Sequence, residues 1–336
     1  MSARACIFGC EGLRLTSWER QFFADAEPWG FILFARNVDD PDQVRALTSD
    51  LRASVGRGAP VFIDQEGGRV ARLSKPHWTE WIPPLDQVRR VDTETAERAM
   101  RLRYSLIASE LRALGIDANC VPMLDVAFDN THPIIRNRCL GDDPGMVALL
   151  GRVVADSLLD GGVLPVMKHL PGHGRARKDS HEELPVVDAD IDTLSTVDFV
   201  PFRRLSDLPI GMTAHVLYPS IDAGACATLS SRVIRMIRGQ IGFSGLLMTD
   251  DLSMKALNGD PARDAEAALA AGCDIALHCN GDRNEMTDVA ASVPELGGAA
   301  GARAKRALRL RRQFEPNDLP AADTVREQAY ADACNG

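Results

Sequence analysis

Ionisable side chains suited to catalysis follow several short apolar runs of the chain. Asp64 and Asp250 each come at the end of such a run, and Lys168 and His169 end another. A carboxylate in this position can act as a nucleophile or accept hydrogen bonds from a polar substrate. A single aspartate there could equally cap the helix that follows. Because the pattern recurs at several runs, we favour one shared site.

A second group of candidates lies between residues 169 and 181, where His169, His173, Asp179 and His181 occur close together. These residue types bind metals, but their spacing matches no standard metal site. Asp179 precedes His181 by two residues, and a carboxylate can orient an imidazole and stabilise its protonated form. The alternative is a histidine in a polar surface loop. We expect a general acid/base here, with no metal and no cofactor.

The elements that must position these residues are eight short runs rich in Ile, Val, Leu and Phe, each bounded by Gly, Pro, Asp or Asn. Stretches with helical periodicity separate most of them. Between Asp92 and Gly115, for example, apolar residues recur at steps of three and four, which predicts an amphipathic helix ending at a glycine. Further helices should begin at Thr16, with Glu19 completing a capping box, and near Pro41. The runs cover approximately residues 5–9, 30–35, 60–64, 118–124, 164–168, 210–215, 245–250 and 274–279.

Apolar strands that alternate with helices predict a parallel sheet covered by helices. Eight such units predict a closed (β/α)8 barrel of the TIM type, in which the active site lies at the carboxyl ends of the strands. An open doubly wound sheet is the alternative, but no Gly-x-Gly-x-x-Gly follows the first run. We expect one domain over residues 1–336, with a long loop over residues 170–191 and a polar tail from about residue 315.

The composition limits the partners of the protein. The 336 residues carry a formal net charge of −9, which argues against binding nucleic acid or an anionic membrane. No apolar run is long enough to span a bilayer, and the short apolar start is followed at once by Glu11 and Arg14, which is atypical of an export signal. Eight scattered cysteines indicate a reducing cytoplasm without a disulfide framework.

Around the candidate site residues, the sequence resembles the single-domain β-N-acetylglucosaminidases of glycoside hydrolase family 3, which are cytoplasmic bacterial enzymes of cell-wall recycling. Five motifs in the same order carry the resemblance, which covers about residues 8–280. They occupy residues 30–37, 64–70, 168–174 together with 179–181, 213–216 and 249–254.

The resemblance implies a retaining exo-glycosidase that removes terminal β-linked N-acetylglucosamine from peptidoglycan fragments. Asp250 would be the nucleophile and His181 the acid/base, with Asp179 as its partner. The implied substrate is N-acetylglucosamine linked to 1,6-anhydro-N-acetylmuramic acid carrying peptide, and we expect a monomer. The implied substrate-binding residues are Asp64, Arg72, Arg138, Lys168 and His169.

The sequence departs from the family pattern at Leu170 and at residues 137–140, so Arg136 competes with Arg138 for its role. Two other functions stay open. Lys168 at a strand end could form a Schiff base with a carbonyl substrate, as in aldolase-type lyases. The barrel could also be a non-catalytic sugar sensor, although the presence of nucleophile, acid/base and carboxylate partner argues against it.

Overall fold

Eight parallel strands close into a barrel in the order in which they occur along the chain. The computed structural model describes residues 3–178, 180, 183–257 and 259–311. The last strand pairs with the first, so that His278 lies opposite Phe8. The predicted (β/α)8 barrel is confirmed, and the open sheet is wrong. The strands are β1 (Arg4–Phe8), β2 (Pro28–Leu33), β3 (Val61–Ile63), β4 (Ala118–Asn119), β5 (Leu164–Leu170), β6 (Ile210–Thr213), β7 (Leu246–Asp251) and β8 (Ile275–His278).

Helices follow the strands and begin at the predicted signals. Thr16 accepts a hydrogen bond from the Glu19 amide, and the Glu19 carboxylate accepts one from the Thr16 amide, which is the predicted capping box. The helix predicted between Asp92 and Gly115 is also present. The helices are α1 (Ser17–Ala26), α2 (Pro41–Ser54), α3 (Pro84–Val88), α4 (Thr93–Ala113), α5 (Pro133–Arg136), α6 (Pro144–Asp160), α7 (Ile191–Thr193), α8 (Val200–Arg204), α9 (Ser231–Met236), α10 (Pro261–Ala271), α11 (Arg283–Ser292) and α12 (Gly298–Leu308).

Alternate residues of each strand pack on opposite sides of the barrel wall. In β2, Ile32 packs in one apolar cluster with residues of the other strands, such as Phe62. Phe31 and Leu33 belong instead to the cluster that includes Leu47 of α2. This period of two gives the wall an inner core and an outer, helix-covered core. Strands buried on both faces explain why the sequence shows continuous apolar runs.

The fourth strand is the one that differs most from its prediction. A strand was expected over residues 118–124, but regular pairing is confined to Ala118–Asn119. Pro122 has no amide hydrogen and cannot continue the ladder as a donor. Its carbonyl still accepts from the Lys168 amide, and the Leu124 amide donates to the Lys168 carbonyl. The segment therefore stays against β5 and brings residue 125 to the end of the barrel.

At this end of the barrel, residues 171–190 connect β5 to α7. The described residues of this connection form no helix or strand, apart from a bridge between Val186 and Leu217. It corresponds to the long loop predicted over residues 170–191. Asp179 and His181 lie outside the described residues, as does the predicted polar tail. No helix in the described part of the chain is both long and apolar enough to cross a membrane.

Candidate active site

A cavity of ≈ 270 Å³ lies at the carboxyl ends of the strands, where the sequence predicts the active site. Six of the predicted site residues line it together. Arg136 is not in this wall, because it donates to the Phe128 carbonyl and pairs with Asp129. The structure therefore places Arg138, and not Arg136, at the cavity. The six residues are Asp64, Arg72, Arg138, Lys168, His169 and Asp250.

Lys168 and Asp64 form the charged centre of one wall. Lys168 Nζ lies 2.8 Å from Asp64 Oδ1, and Arg72 donates to Asp64 Oδ2 at 3.2 Å. Burial raises the pKa of Asp64, but the two cations outweigh it and hold that pKa well below its usual range. Burial lowers the pKa of Lys168, but the carboxylates of Asp64 and Glu66 outweigh it and raise that pKa above the usual value. Both groups are ionised at neutral pH.

Glu66 is the second carboxylate of this network, and the sequence did not single it out as a site residue. Arg138 donates to both of its oxygens, and Lys168 Nζ lies 2.6 Å from Oε1. These cations outweigh burial and lower the pKa of Glu66 to about 2. Its side chain is only 2% exposed and is not part of the cavity wall. Glu66 therefore holds the two cations that face the cavity rather than facing it itself.

Asp125 fixes the imidazole of His169. Its Oδ2 lies 2.6 Å from His169 Nδ1, and its Oδ1 accepts the backbone amide of His173 at 2.6 Å. This contact orients the ring with Nδ1 toward Asp125 and leaves Nε2 for the cavity. Asp125 follows the predicted fourth strand, so the rule that site residues occupy strand ends could have identified it.

The ring of His173 is buried beside His169, with the two ring centroids 5.6 Å apart. Neither of its ring nitrogens has a hydrogen-bond partner among the described residues. Burial is the main cause that lowers the pKa of His173 to about 4. His173 is therefore neutral near pH 7, which makes it a poor proton donor in that range.

Asp250 and Asp251 both line the cavity but have different surroundings. The Asp251 carboxylate accepts from the Ser253 amide, the Ser253 hydroxyl and the Cys279 amide. Asp250 accepts one described hydrogen bond, from the Asp251 amide at 2.8 Å. Burial raises the pKa of Asp250, but nearby histidines and this amide lower it overall. Asp250 is thus an ionised carboxylate with an oxygen left for a ligand.

Two predicted residues, Asp179 and His181, fall outside the described part of the chain. Ser180, which lies between them, is 6% exposed and lines the cavity. The backbone carbonyl of Ser180 accepts from the Ala256 amide at 3.2 Å. This hydrogen bond attaches the loop to the segment after β7. Among the described residues, no group of three or more His, Cys, Asp or Glu side chains is arranged to hold a metal.

The site combines an ionised carboxylate with fixed cations and an oriented imidazole around a small polar cavity. Charged donors and acceptors in a cavity of this kind recognise hydroxyl groups, and a free carboxylate can stabilise or attack a cationic centre. Together with the barrel, these features are typical of enzymes that process carbohydrates.

Comparisons with known proteins define the family. Residues 13–310 match the model of the glycosyl hydrolase family 3 N-terminal domain, and the chain belongs to this family. It is 37% identical to a β-hexosaminidase of Bordetella avium over 82% of this chain and 80% of that protein. It is 34% identical to a β-hexosaminidase of Thiobacillus denitrificans, over 96% and 90% of the two chains. The chain is therefore a glycoside hydrolase.

A solved structure shows the same architecture over the full length. NagZ from Neisseria gonorrhoeae, in complex with N-trifluoroacetyl-D-glucosamine, superposes with a TM-score of 0.88 and 28% sequence identity. The match covers 99% of each chain. The barrel is thus common to both proteins.

Proposed function

We propose that the protein is a retaining β-N-acetylhexosaminidase that removes terminal, non-reducing N-acetylglucosamine from peptidoglycan fragments. The observation that carries the proposal is the ionised Asp250 carboxylate in the cavity wall, with a single described hydrogen bond, facing the charged network around Lys168. The β-hexosaminidase relatives support the reaction, and the N-trifluoroacetylglucosamine held by the gonococcal NagZ supports the sugar.

The cavity volume favours an exo-acting enzyme. A volume of ≈ 270 Å³ lies below the range of about 300–1,000 Å³ typical of sites for drug-sized ligands. One sugar unit, rather than a stretch of polysaccharide, is the ligand that suits it. We assign Asp64 as an acceptor for sugar hydroxyls. The assigned donors are Arg72, Arg138, Lys168 and His169.

In the first step, a carboxylate oxygen of Asp250 forms a bond to the anomeric carbon while the glycosidic C–O bond breaks. His181, in its protonated form, gives its proton to the departing oxygen. In the second step, His181 takes a proton from water, whose oxygen attacks the same carbon and releases Asp250. Asp179 stabilises the imidazolium that forms. The usual pair in such enzymes is two carboxyl groups, so a histidine as acid is a departure.

The Schiff-base alternative conflicts with the state of Lys168. A lysine must lose its proton to attack a carbonyl group. Two carboxylates lie within 2.8 Å of Lys168 Nζ and raise its pKa. Lys168 is therefore a charged hydrogen-bond donor and a poor nucleophile. No observation on the described residues favours a sugar sensor over an enzyme.

The natural substrate we propose is N-acetylglucosamine linked to 1,6-anhydro-N-acetylmuramic acid that carries peptide. Fragments of this kind are degraded in the cytoplasm, which is the compartment we propose for the protein. We further propose that the chain acts as a monomer, as one catalytic domain over residues 1–336, and needs no metal or cofactor. Its partners do not include nucleic acid or membranes.

The test is hydrolysis by the purified protein of 4-nitrophenyl β-N-acetylglucosaminide, with the β-glucoside as comparator. We expect release of 4-nitrophenol from the first substrate and little from the second. Proton NMR of the initial product should show the β-anomer of N-acetylglucosamine, as retention requires. A folded protein that cleaves neither substrate would favour the sensor function.

A further inference from the structure

We infer that Arg69 forms a subsite for a carboxylate on the leaving group, next to the bond that is cleaved. The inference rests on the proposed function, because it assumes that the terminal sugar fills the closed end of the cavity. It adds a residue to which neither the family resemblance nor the preceding assignment gives a role.

Arg69 lies in the cavity wall, and its position differs from that of the other cations there. Its side chain is exposed, whereas those of Arg138 and Lys168 are 9% and 3% exposed. Arg69 therefore belongs to the open end of the cavity and the other two to its closed end. When an exo-acting enzyme holds the terminal sugar at the closed end, the leaving group must occupy the open end.

The charge of Arg69 is available to a ligand. Arg72, Arg138 and Lys168 each pair with Asp64 or Glu66. Arg69 has no such carboxylate partner among residues 3–178, 180, 183–257 and 259–311. A guanidinium presents several N–H donors in a planar fork that matches a carboxylate, so an anionic group is the ligand that suits it best.

The backbone around Arg69 is held in one conformation. The amides of Glu66 and Gly67 both donate to the Val70 carbonyl at 3.0 Å, and the Gly68 amide donates to the Trp81 carbonyl at 3.0 Å. Gly68 has a φ of +62°, and a Cβ there would lie 2.7 Å from Pro83 Cα. A side chain at this position is thus excluded by both conformation and space.

Two side chains of α4 also hold the backbone just before Arg69. The Glu66 carbonyl accepts from Arg103 Nη2 at 2.8 Å and from the Tyr104 hydroxyl at 3.0 Å, and both of these side chains are buried on α4. Arg69 therefore projects from a rigid support, so binding an anion orders only its side chain and costs less conformational entropy.

The decisive experiment compares leaving groups that differ in the presence or the position of a carboxylate. The first substrate is N-acetylglucosaminyl-β-1,4-anhydro-N-acetylmuramic acid with a free lactyl carboxylate, and the second is its lactyl methyl ester. In the third, the lactyl group is joined through an amide bond to L-alanine, whose carboxylate is free. The native enzyme should show a kcat/KM about five-fold higher for the acid than for the ester at low salt, as one partly exposed ion pair provides. A preference for the alanine conjugate over the ester would identify the peptide carboxylate, rather than the lactyl group, as the anion recognised.

Arg69→Gln should remove the preference, and Arg69→Lys should retain part of it. Either substitution should lower kcat/KM for the neutral 4-nitrophenyl β-N-acetylglucosaminide much less than it lowers kcat/KM for the acid. Arg90→Gln removes the same charge from an exposed position outside the cavity wall and should leave every ratio as in the native enzyme. Added salt should weaken the preference of the native enzyme.

Two results would overturn the inference in an enzyme that hydrolyses the aryl substrate. One is an equal kcat/KM for all three disaccharides, and the other is a preference for the acid that survives in Arg69→Gln. An enzyme that cleaves no β-N-acetylglucosaminide would overturn the proposed function and this inference with it.

Discussion

Glu66 receives two hydrogen bonds from Arg138, at 2.7 Å from Nη2 to Oε1 and at 2.8 Å from Nε to Oε2, and both side chains are more than nine-tenths buried. Lys168 forms an ion pair with the same carboxylate and another with Asp64. Two cations that face the cavity thus depend on a carboxylate that does not. Glu66 is therefore a positioning residue for two side chains that we propose to bind the sugar.

Glu66→Gln keeps the shape of the side chain but removes its charge. Arg138 and Lys168 then lie buried with one anion fewer, which costs about 3–5 kcal/mol of the free energy of unfolding. We also expect a higher KM for the aryl substrate, because the two donors lose their fixed positions. Urea unfolding and steady-state kinetics measure the two effects. Glu80→Gln breaks an exposed pair with Lys75 and should change the unfolding free energy by less than about 1 kcal/mol.

Acid should destabilise the native protein through the same carboxylate. The pKa of Glu66 falls from its usual value of 4.5 to about 2 on folding, so the unfolded chain takes up the proton first. The contribution of Glu66 to stability is complete above pH 4.5 and decreases as the pH falls toward 2. The unfolding free energy should therefore drop less steeply over this interval in Glu66→Gln than in the native protein. Parallel pH profiles for the two proteins would contradict this linkage.

Asp125→Asn should weaken binding through His169. The amide cannot stabilise the imidazole as the carboxylate does, and its NH2 group can force the ring into the other tautomer. We expect kcat/KM to fall about 10-fold to 100-fold, which is the loss found when a histidine that binds a metal loses the carboxylate that orients it. The loss should be similar for an aryl glycoside and a disaccharide, because we propose that His169 binds the sugar that both share. A loss confined to the disaccharide would indicate that Asp125 acts in protonation of the leaving group.

His181→Ala should show the opposite dependence on the leaving group. A nitrophenolate departs with little protonation, whereas a sugar alkoxide needs a proton. The rate on a natural disaccharide should therefore fall much further than the rate on the aryl glycoside. Asp179→Asn should follow the same pattern more mildly, because the imidazole stays present. Equal losses on both substrates would point to a folding or binding role for this loop.

Chelation should leave the activity unchanged. The proposed steps use a carboxylate and a proton donor, and the histidines near the cavity have other contacts or uses. Activity on the aryl substrate is measured after exhaustive dialysis against EDTA and again after addition of zinc. Loss on chelation with recovery on zinc would revive a metal site on His169, His173, Asp179 and His181.

The sequence predicted the barrel because its strands carry local signals. Apolar runs bounded by Gly, Pro and Asp locate them, and the capping box at Thr16 or the periodicity between Asp92 and Gly115 locates helices. The predicted fourth strand was longer than the observed one because Pro122 interrupts the ladder, although the chain stays beside β5. Local patterns identify such segments but do not fix the regularity of their pairing.

The partners of the supporting carboxylates could not be predicted in the same way, although the strand-end rule could have marked Asp125 as a site residue. Glu66 lies between Gln65 and two glycines in sequence, and nothing local shows that its side chain turns away from the cavity toward Arg138, which is 72 residues away. Asp125 gains its role from His169, which is 44 residues away. Such contacts depend on which strand ends the closed barrel brings together.

The proposed covalent glycosyl-enzyme on Asp250 can be trapped as an intermediate. A fluorinated N-acetylglucosaminyl substrate that slows deglycosylation is incubated with the native enzyme, and the labelled peptide is mapped by mass spectrometry. We expect one sugar per chain, attached to Asp250, and no label in Asp250→Asn. A label on Asp251, or turnover in Asp250→Asn equal to that of the native enzyme, would contradict this proposal.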